Sequence, residues 1–530
     1  MKKIHKVLAA SVMAAVLSGG TGAAAAGLAG EGVYGSGESS QLLTNVMPYA
    51  GTGDFGDRAE SLAKATFRTP QSIAVTPDGT LYVSDARNNA LRKISGSTVL
   101  SFAGVSKVVD MRGFPIGGLQ DGKPDESFFQ SPSGIAIDGK GNVYVADTEN
   151  NAIRKVDAGG NVTTVAGDGI IGDKNGKGKD ARFHHPGDVA VTADGTVYVA
   201  DTLNHSIRKI TTDGTVSTLN ALSMRAVEKK PGTAEAAGDF EDGPIGKAKF
   251  NEPSGLALDE KGNLYVSDTG NQRIRYIDFA AGTVTTAAGA GEAGKSLYAP
   301  GDFADGAAAK ARFNFPVGLG MTKEGGLLIA DSLNHSIRYL YKGAVQTIAG
   351  DSGQFSGSDN GVDRVASFNK PSDVAEGADG SIYVTDAFNN QIRRVIPYRL
   401  PADLAGGDAI KVVYETKQVE FDTLPELSNG RTMVPVRAIA EAAGFTVEYI
   451  DEGELILLKK GGITVEMAIG RETVRTIENG RQDDVRTIDA APYKKDGRTL
   501  VPVRFFAEQI GLDVQWNQAR QTAILRLAVE

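Results

Sequence analysis

One unit recurs six times along this chain. Its clearest copy, residues 131–156, reads SPSGIAIDGKGNVYVADTENNAIRKV: a Pro, a short strand of small residues, a Gly-containing turn, a Tyr-Val strand closed by Asp, a polar turn and a strand ending in Arg. The closing Asp returns at Asp85, Asp147, Asp201, Asp268, Asp331 and Asp386, and a period averaging about 60 residues marks a repeat architecture. The Arg of each copy (Arg92, Arg154, Arg208, Arg275, Arg338, Arg393) keeps a fixed distance from that Asp. A catalytic constellation is needed once, whereas a blade corner is needed in every blade. The repeated Asp, Asn and Arg are therefore expected to be structural: Asp accepting turn N–H bonds, Asn tolerating a left-handed conformation, Arg bridging to a carboxylate.

Aligning the copies on their Pro (Pro70, Pro132, Pro186, Pro253, Pro316, Pro371) gives most positions a task. Four residues on stands Ala or Gly, as expected where strands converge on an axis, and nine residues on stands Gly in all six, as a tight hairpin demands. Later segments such as Val143-Tyr144-Val145 and Ala152-Ile153-Arg154-Lys155-Val156 alternate with the period of half-buried antiparallel strands. Four strands per unit and six units predict a mainly β fold, a six-bladed β-propeller over residues 42–397. The sixth copy lacks a fourth strand, while an isolated one stands at residues 43–51, so the ring is expected to be closed by the N-terminal strand. A Phe precedes each Pro by three residues and is expected to plug the core between blades. The longest connections, residues 105–122, 222–243 and 290–306, are where specificity can reside.

These motifs resemble the NHL family, whose units read Pro-x-Gly-hydrophobic-Ala, then Tyr-Val-Ala-Asp-Thr-x-Asn, then a hydrophobic-Arg pair; PSGLALDEKGNLYVSDTGNQRIR, residues 253–275, is a close match. The resemblance implies a six-bladed propeller, usually a binding platform. A minority of similar propellers are lyases or hydrolases that hold metal at the axis.

Residues 398–408 read as a linker, and residues 409–530 as a smaller α+β domain with its own duplication: GRTMVPVRAIAEAAGFTVEY from Gly430 and GRTLVPVRFFAEQIGLDVQW from Gly497. Each half predicts a strand, a helix opened by Val-Pro, and a second strand. Arg437 and Arg504, each four residues ahead of a Glu, are expected to contact the neighbouring strand as well. This segment resembles the copper amine oxidase N-terminal-like, or stalk, domain, with Tyr449 where the second half has Trp516. Copper and quinone chemistry belongs to a different domain of that family and needs several imidazoles, and the five His of this chain all precede the tail. A copper amine oxidase is excluded.

Residues 1–26 carry Lys2, Lys3 and Lys6, an apolar run of about 11 residues and Ala24-Ala25-Ala26, the pattern of a secretory signal peptide and too short for a membrane span. The expected location is outside the cytoplasmic membrane, secreted or associated with the cell wall. With no Cys, thiol chemistry, disulfides and lipid attachment at the cleavage point are excluded, and a net charge of −9 argues against nucleic acid as a partner.

Residues that break the sixfold symmetry are the candidates for function. Asp188 and Asp373 stand two residues after their Pro, in blades expected to face each other across the axis, with Ser72 in the equivalent place; a cation such as calcium, or water, is one reading, and a solvated polar lining the other. His184, His185, His205 and His335 are possible metal ligands. His205 and His335, however, occupy a slot elsewhere filled by Asn or Gln, which suits hydrogen bonding. No catalytic residue or cofactor is indicated. The expected function is a non-enzymatic binding or scaffold protein whose propeller takes an extracellular or cell-envelope protein, peptide or glycan. The alternative is a metal-dependent lyase or lactonase-like hydrolase with its site at the axis.

Overall fold

The computed structural model describes residue 28 and residues 42–105, 108–291, 296–404, 406–450, 454–478, 481–488, 490–518 and 520–528. The expected signal peptide, residues 1–26, lies outside them. Among the described residues the chain forms two compact units, one spanning Thr44–Pro397 and the other made of Leu42, Leu43 and the chain from Tyr398 onward.

The first unit is a six-bladed β-propeller. Blade one comprises Pro70–Val75, Leu81–Asp85, Ala90–Ser95 and Thr98–Ala103, paired antiparallel in that order, and the other blades repeat it. Alternation along the strands buries Val83, Leu91, Ile94 and Val99 completely. The innermost strands lie side by side around the axis, and the last of them, Pro371–Glu376, lies against the first. Closure comes from Thr44–Ala50, which pairs with Gln391–Pro397 from Thr44 opposite Pro397 to Ala50 opposite Ile392 and so becomes the outer strand of blade six. The core at the seam accordingly mixes the two ends: Ala50, Phe67 and Ile73 pack with Tyr383 and Ile392.

Register fixes what lies at each end of a blade. Pro70 pairs with Asp85 and Leu91 with Ala103, so the Pro, the Asp, the following 3-10 turn and the long connections share one face, while the Gly79 hairpin lies at the other. Of the long connections, residues 222–243 hold a feature the sequence reading lacks: a two-stranded ribbon, Ala226–Lys230 with Thr233–Ala236. Arg225 fastens its base, donating to the carbonyls of Gly238 (2.5 Å), Ser296 (2.8 Å) and Leu297 (3.3 Å).

In the second unit the duplicated halves interlock. Arg431–Pro435 and Arg498–Pro502 pair antiparallel, Val434 opposite Val501, and each leads into a two-turn helix, Val436–Ala442 and Val503–Gln509. Val436, Ile439, Val503 and Phe506 bury the inward faces of these helices. A five-stranded meander from Thr446–Ile450 to Arg481–Thr487 and a sheet containing Leu512–Asn517 and Thr522–Leu527 complete the unit. Tyr398, in the stretch read as a linker, is buried against Ile524 and donates its hydroxyl to the Glu415 carbonyl (2.6 Å).

Candidate functional site

The repeated polar residues form the frame that holds the loop face. In blade two, Asp147 accepts from the Gln130 N–H (2.7 Å), the Asn150 amide (2.8 Å) and the Arg154 guanidinium (2.6 Å), with the carboxylate and the guanidinium fully shielded from water. Arg154 lies over the Phe129 ring at 5.1 Å, and the same Arg-on-Phe contact recurs in all six blades at 5.0 to 5.5 Å. The Phe plugs are thus also the floor on which the buried guanidinium rests. Burial pushes Asp85, Asp147, Asp201 and Asp386 up to about 6 against the pull of their Arg, which leaves the pairs charged at neutral pH.

One expectation needs correction. The repeated Asn is not the left-handed residue: Asn88 and its equivalents close a 3-10 turn and donate to the Asp and to a neighbouring loop carbonyl (Gly56 for Asn88). The left-handed residue is the next one, Asn89, Asn151, His205, Gln272, His335 or Asn390. The reason is its task. Each reaches to the following blade and accepts the N–H of the residue before that blade's Pro: Asn89 from Ser131 (2.8 Å), Asn151 from His185 (2.9 Å), Gln272 from Phe315 (2.5 Å), and Asn390 from Thr69 across the seam (2.9 Å). His205 and His335 do the same through Nδ1, accepting from Glu252 (3.0 Å) and Lys370 (3.1 Å).

These two imidazoles must therefore stay neutral at Nδ1. Burial and nearby Arg225 hold His205 down to about 4, and burial with Lys370 lowers His335. Since the unfolded ring titrates near 6.5, the unfolded chain takes up these protons first, and the part of the stability carried by these two rings falls as pH drops from about 6.5 toward 4. The double variant His205→Asn, His335→Asn keeps both inter-blade bonds and should lose less stability across that window, by about 1–2 kcal/mol, in urea titrations at pH 7 and pH 5. Equal losses in variant and parent would refute the assignment.

His184 and His185 meet in a tilted contact, ring centres 5.2 Å apart and planes inclined at 58°, and His185 Nε2 lies 3.4 Å from Glu149. The His do not gather as metal ligands: among the described residues no cluster of three or more His, Asp or Glu suits a metal ion.

At the axis the structure brings Ser72, Asp188 and Asp373 together around a cavity of about 20 Å³, room for a water-sized occupant. An irregularity after each Pro turns these side chains toward the next blade. Ser72 Oγ accepts the Ile135 N–H (3.2 Å), Asp188 Oδ2 the Leu256 N–H (2.8 Å), and Asp373 Oδ2 the Ile73 N–H (3.0 Å) and the Ser72 hydroxyl (2.5 Å). The glycines between them make the room. A Cβ on Gly134 would stand 1.9 Å from Asp188 Oδ1, and one on Gly318 2.3 Å from Asp373 Oδ1. Burial, and then the Asp373 carboxylate, push Asp188 well above the ordinary carboxylate range, while burial raises Asp373 to about 6. The donor set does not fit calcium, which takes six to eight oxygens: two carboxylates already bonded to backbone N–H groups, one of them favouring its protonated form, fall short.

The exposed apolar side chains of the propeller gather on the loop face. Among the described residues, every exposed large hydrophobic of the propeller except Leu100 lies in the connections between blades or in the 3-10 turns, including Phe55, Met111, Ile170, Met224, Phe355 and Phe388. Arg68 lies between the exposed rings of Phe55 (5.2 Å) and Phe114 (5.6 Å). Beside Phe388 opens a polar recess of about 410 Å³ lined by Thr52, Ser358, Asn360 and Gln391.

The NHL repeat model matches residues 67–94, 129–156, 183–210 and 250–275, the first four blades, and the copper amine oxidase N-terminal domain model matches residues 413–525. The chain carries NHL repeats and a copper amine oxidase N-terminal domain. Blades five and six of the NHL propeller keep the same fold outside the matched ranges. NHL repeat-containing protein 2 of Gallus gallus is 31% identical over 372 residues, covering 64% of this chain and 49% of that protein, so the chain spans about half the length of that relative. Teneurin-4 of Homo sapiens is 28% identical over 44% of this chain and 9% of its own. Among solved structures, an auxiliary nutrient binding protein from Bacteroides ovatus is similar at a TM-score of 0.47 and 14% identity, covering 68% of this chain and 77% of that one. Among the described residues no helix is long and apolar enough to cross a membrane.

Proposed function

We propose that this chain is a non-catalytic binding protein of the extracellular space or cell envelope, and that the loop face of its NHL propeller takes a protein or peptide partner. The segregation of exposed apolar side chains onto that one face carries the reading. Exposed hydrophobics gathered on one face of a rigid scaffold are costly in water and are characteristic of interaction surfaces, and among the described residues the hairpin face offers no counterpart. The N-terminal signal pattern supports an extracytoplasmic setting. The repeated polar frame supports a platform role, since its charged groups are consumed in holding the blades.

The test is capture from envelope fractions with the intact protein, a Met111→Asp, Phe355→Asp variant of the loop face, and Leu100→Asp as a control on the blade side. The expected result is a partner retained by the parent and the control and lost by the loop-face variant. Equal capture by all three would overturn the reading. The alternative, an axial metal-dependent lyase or hydrolase, is not favoured by the donor set at the axis; stoichiometric calcium or zinc retained by the purified protein after dialysis would overturn the non-catalytic reading.

A further inference from the structure

The duplication in the second unit produces two quasi-equivalent recesses that have diverged. Because Arg431–Pro435 and Arg498–Pro502 pair with each other, the Gly-Arg-Thr turn of each half lies beside the helix and aromatic strand of the other. One recess, of about 490 Å³, combines Gly497, Arg498 and Thr499 with Arg437 and Tyr449. The other, about 950 Å³, combines Gly430, Arg431 and Thr432 with Arg504 and Trp516.

The smaller recess is internally satisfied. Arg498 Nε donates to Asp422 (2.7 Å), and Arg437 lies over the Tyr449 ring at 5.3 Å and 3.9 Å from Glu441. In the larger one, Trp516 replaces the tyrosine, Phe505 and Leu427 widen the apolar wall, and the exposed Arg504 has no ion pair, hydrogen bond or ring contact among the described residues. Three carboxamides, Gln515, Gln518 and Gln521, share the lining, and Gln518 accepts the indole N–H of Trp516 (2.8 Å). Arg431, Asp408 and Glu508 complete the charged lining, and the uncommitted guanidinium of Arg504 beside the indole is the group left to meet a ligand carboxylate.

We propose that the larger recess is a second ligand site, for a glycan that carries carboxylates. Each part matches a feature of that ligand class. The indole offers a flat apolar surface to the C–H face of a sugar ring. The guanidinium fork of Arg504 pairs in bidentate fashion with a carboxylate, and the carboxamides and the Thr432 hydroxyl meet ring hydroxyls. Its volume falls within the range of small-ligand pockets. The site is independent of the propeller's loop face and stands or falls separately.

Trp516 is the only tryptophan of the chain, so its fluorescence reports this recess alone. The full-length protein is titrated with trigalacturonic acid while Trp516 emission is followed. The expected result is a saturable change in emission, weakened at least tenfold by Arg504→Gln and partly rescued by Arg504→Lys, with Arg437→Gln in the smaller recess indistinguishable from the parent. Thermal melts confirm that each variant folds. Absence of a saturable change would overturn the proposal. So would equal affinity for the methyl ester of the same trisaccharide, which lacks the charge, and so would equal affinity for a glutamate oligomer, which would make the ligand an acidic peptide.

Discussion

Removal of residues 42–51 should abolish cooperative folding of the whole propeller rather than trim one blade. The lost segment contains Thr44–Ala50, whose Val46 and Ala50 are buried and whose backbone completes blade six. Without it Gln391–Pro397 becomes a bare sheet edge, the Thr44 and Asp363 pairing that fastens the connecting loop is gone, and the core containing Phe67 and Tyr383 opens to water. The expected loss is about 5 kcal/mol or more, comparable to the stability of an ordinary domain. Circular dichroism during heating should show the main β transition broadened or absent. An unchanged melting temperature would mean that the ring does not depend on its seam.

A second large effect is expected at the buried charges, and it should differ between blades. Truncating the Asp strands a buried guanidinium, at a cost of about 3–5 kcal/mol when nothing else neutralises it. Blade three is such a case: apart from Asp201, the hydrogen-bond partners of Arg208 are the neutral Asn175 side chain and the carbonyls of Lys174 and Arg182. In blade four, Arg275 also meets Asp242, through Nε at 3.0 Å and a terminal nitrogen at 2.5 Å. Asp201→Ala should therefore be the more damaging substitution, with Asp268→Ala milder by about 1–2 kcal/mol. Guanidinium melts of the two variants would check the order, and the reverse order would show that Asp242, which is partly exposed, gives Arg275 no effective compensation.

The contrast between these blades also shows how far the sequence could be read. Strand alternation, the Gly of each hairpin and the absent fourth strand of the last copy are local signals, and they gave the propeller and its closure. The second partner of the Arg stands at a fixed distance ahead of it, as Asp121, Asp242 and Asp305 in three blades and as Asn175 and Asn360 in two others, and is hidden in the sequence because its loop varies in length and composition around it. The slot after the repeated Asn was recognised as polar, but its acceptor role was not visible, since the donor belongs to the next blade. Candidate residues at the axis were legible by parity along the strand. Their bonding was not, because it depends on the bulge after each Pro and on glycines in other blades, such as Gly134 opposite Asp188. The ribbon at Ala226–Lys230 was also overlooked; its strands are largely charged or small, and Pro231-Gly232 was the one local turn signal.

The seam has a kinetic consequence. Asn45 faces Ile396, so a strand made at the start of synthesis waits about 350 residues for its partner, a separation that places closure among the slow, non-local steps of folding. Blades one to five can assemble as the chain emerges, yet the propeller remains an open arc until its last strand arrives. A nascent or truncated chain is thus held short of its final form, and the two ends act together as a check that the whole ring has been made.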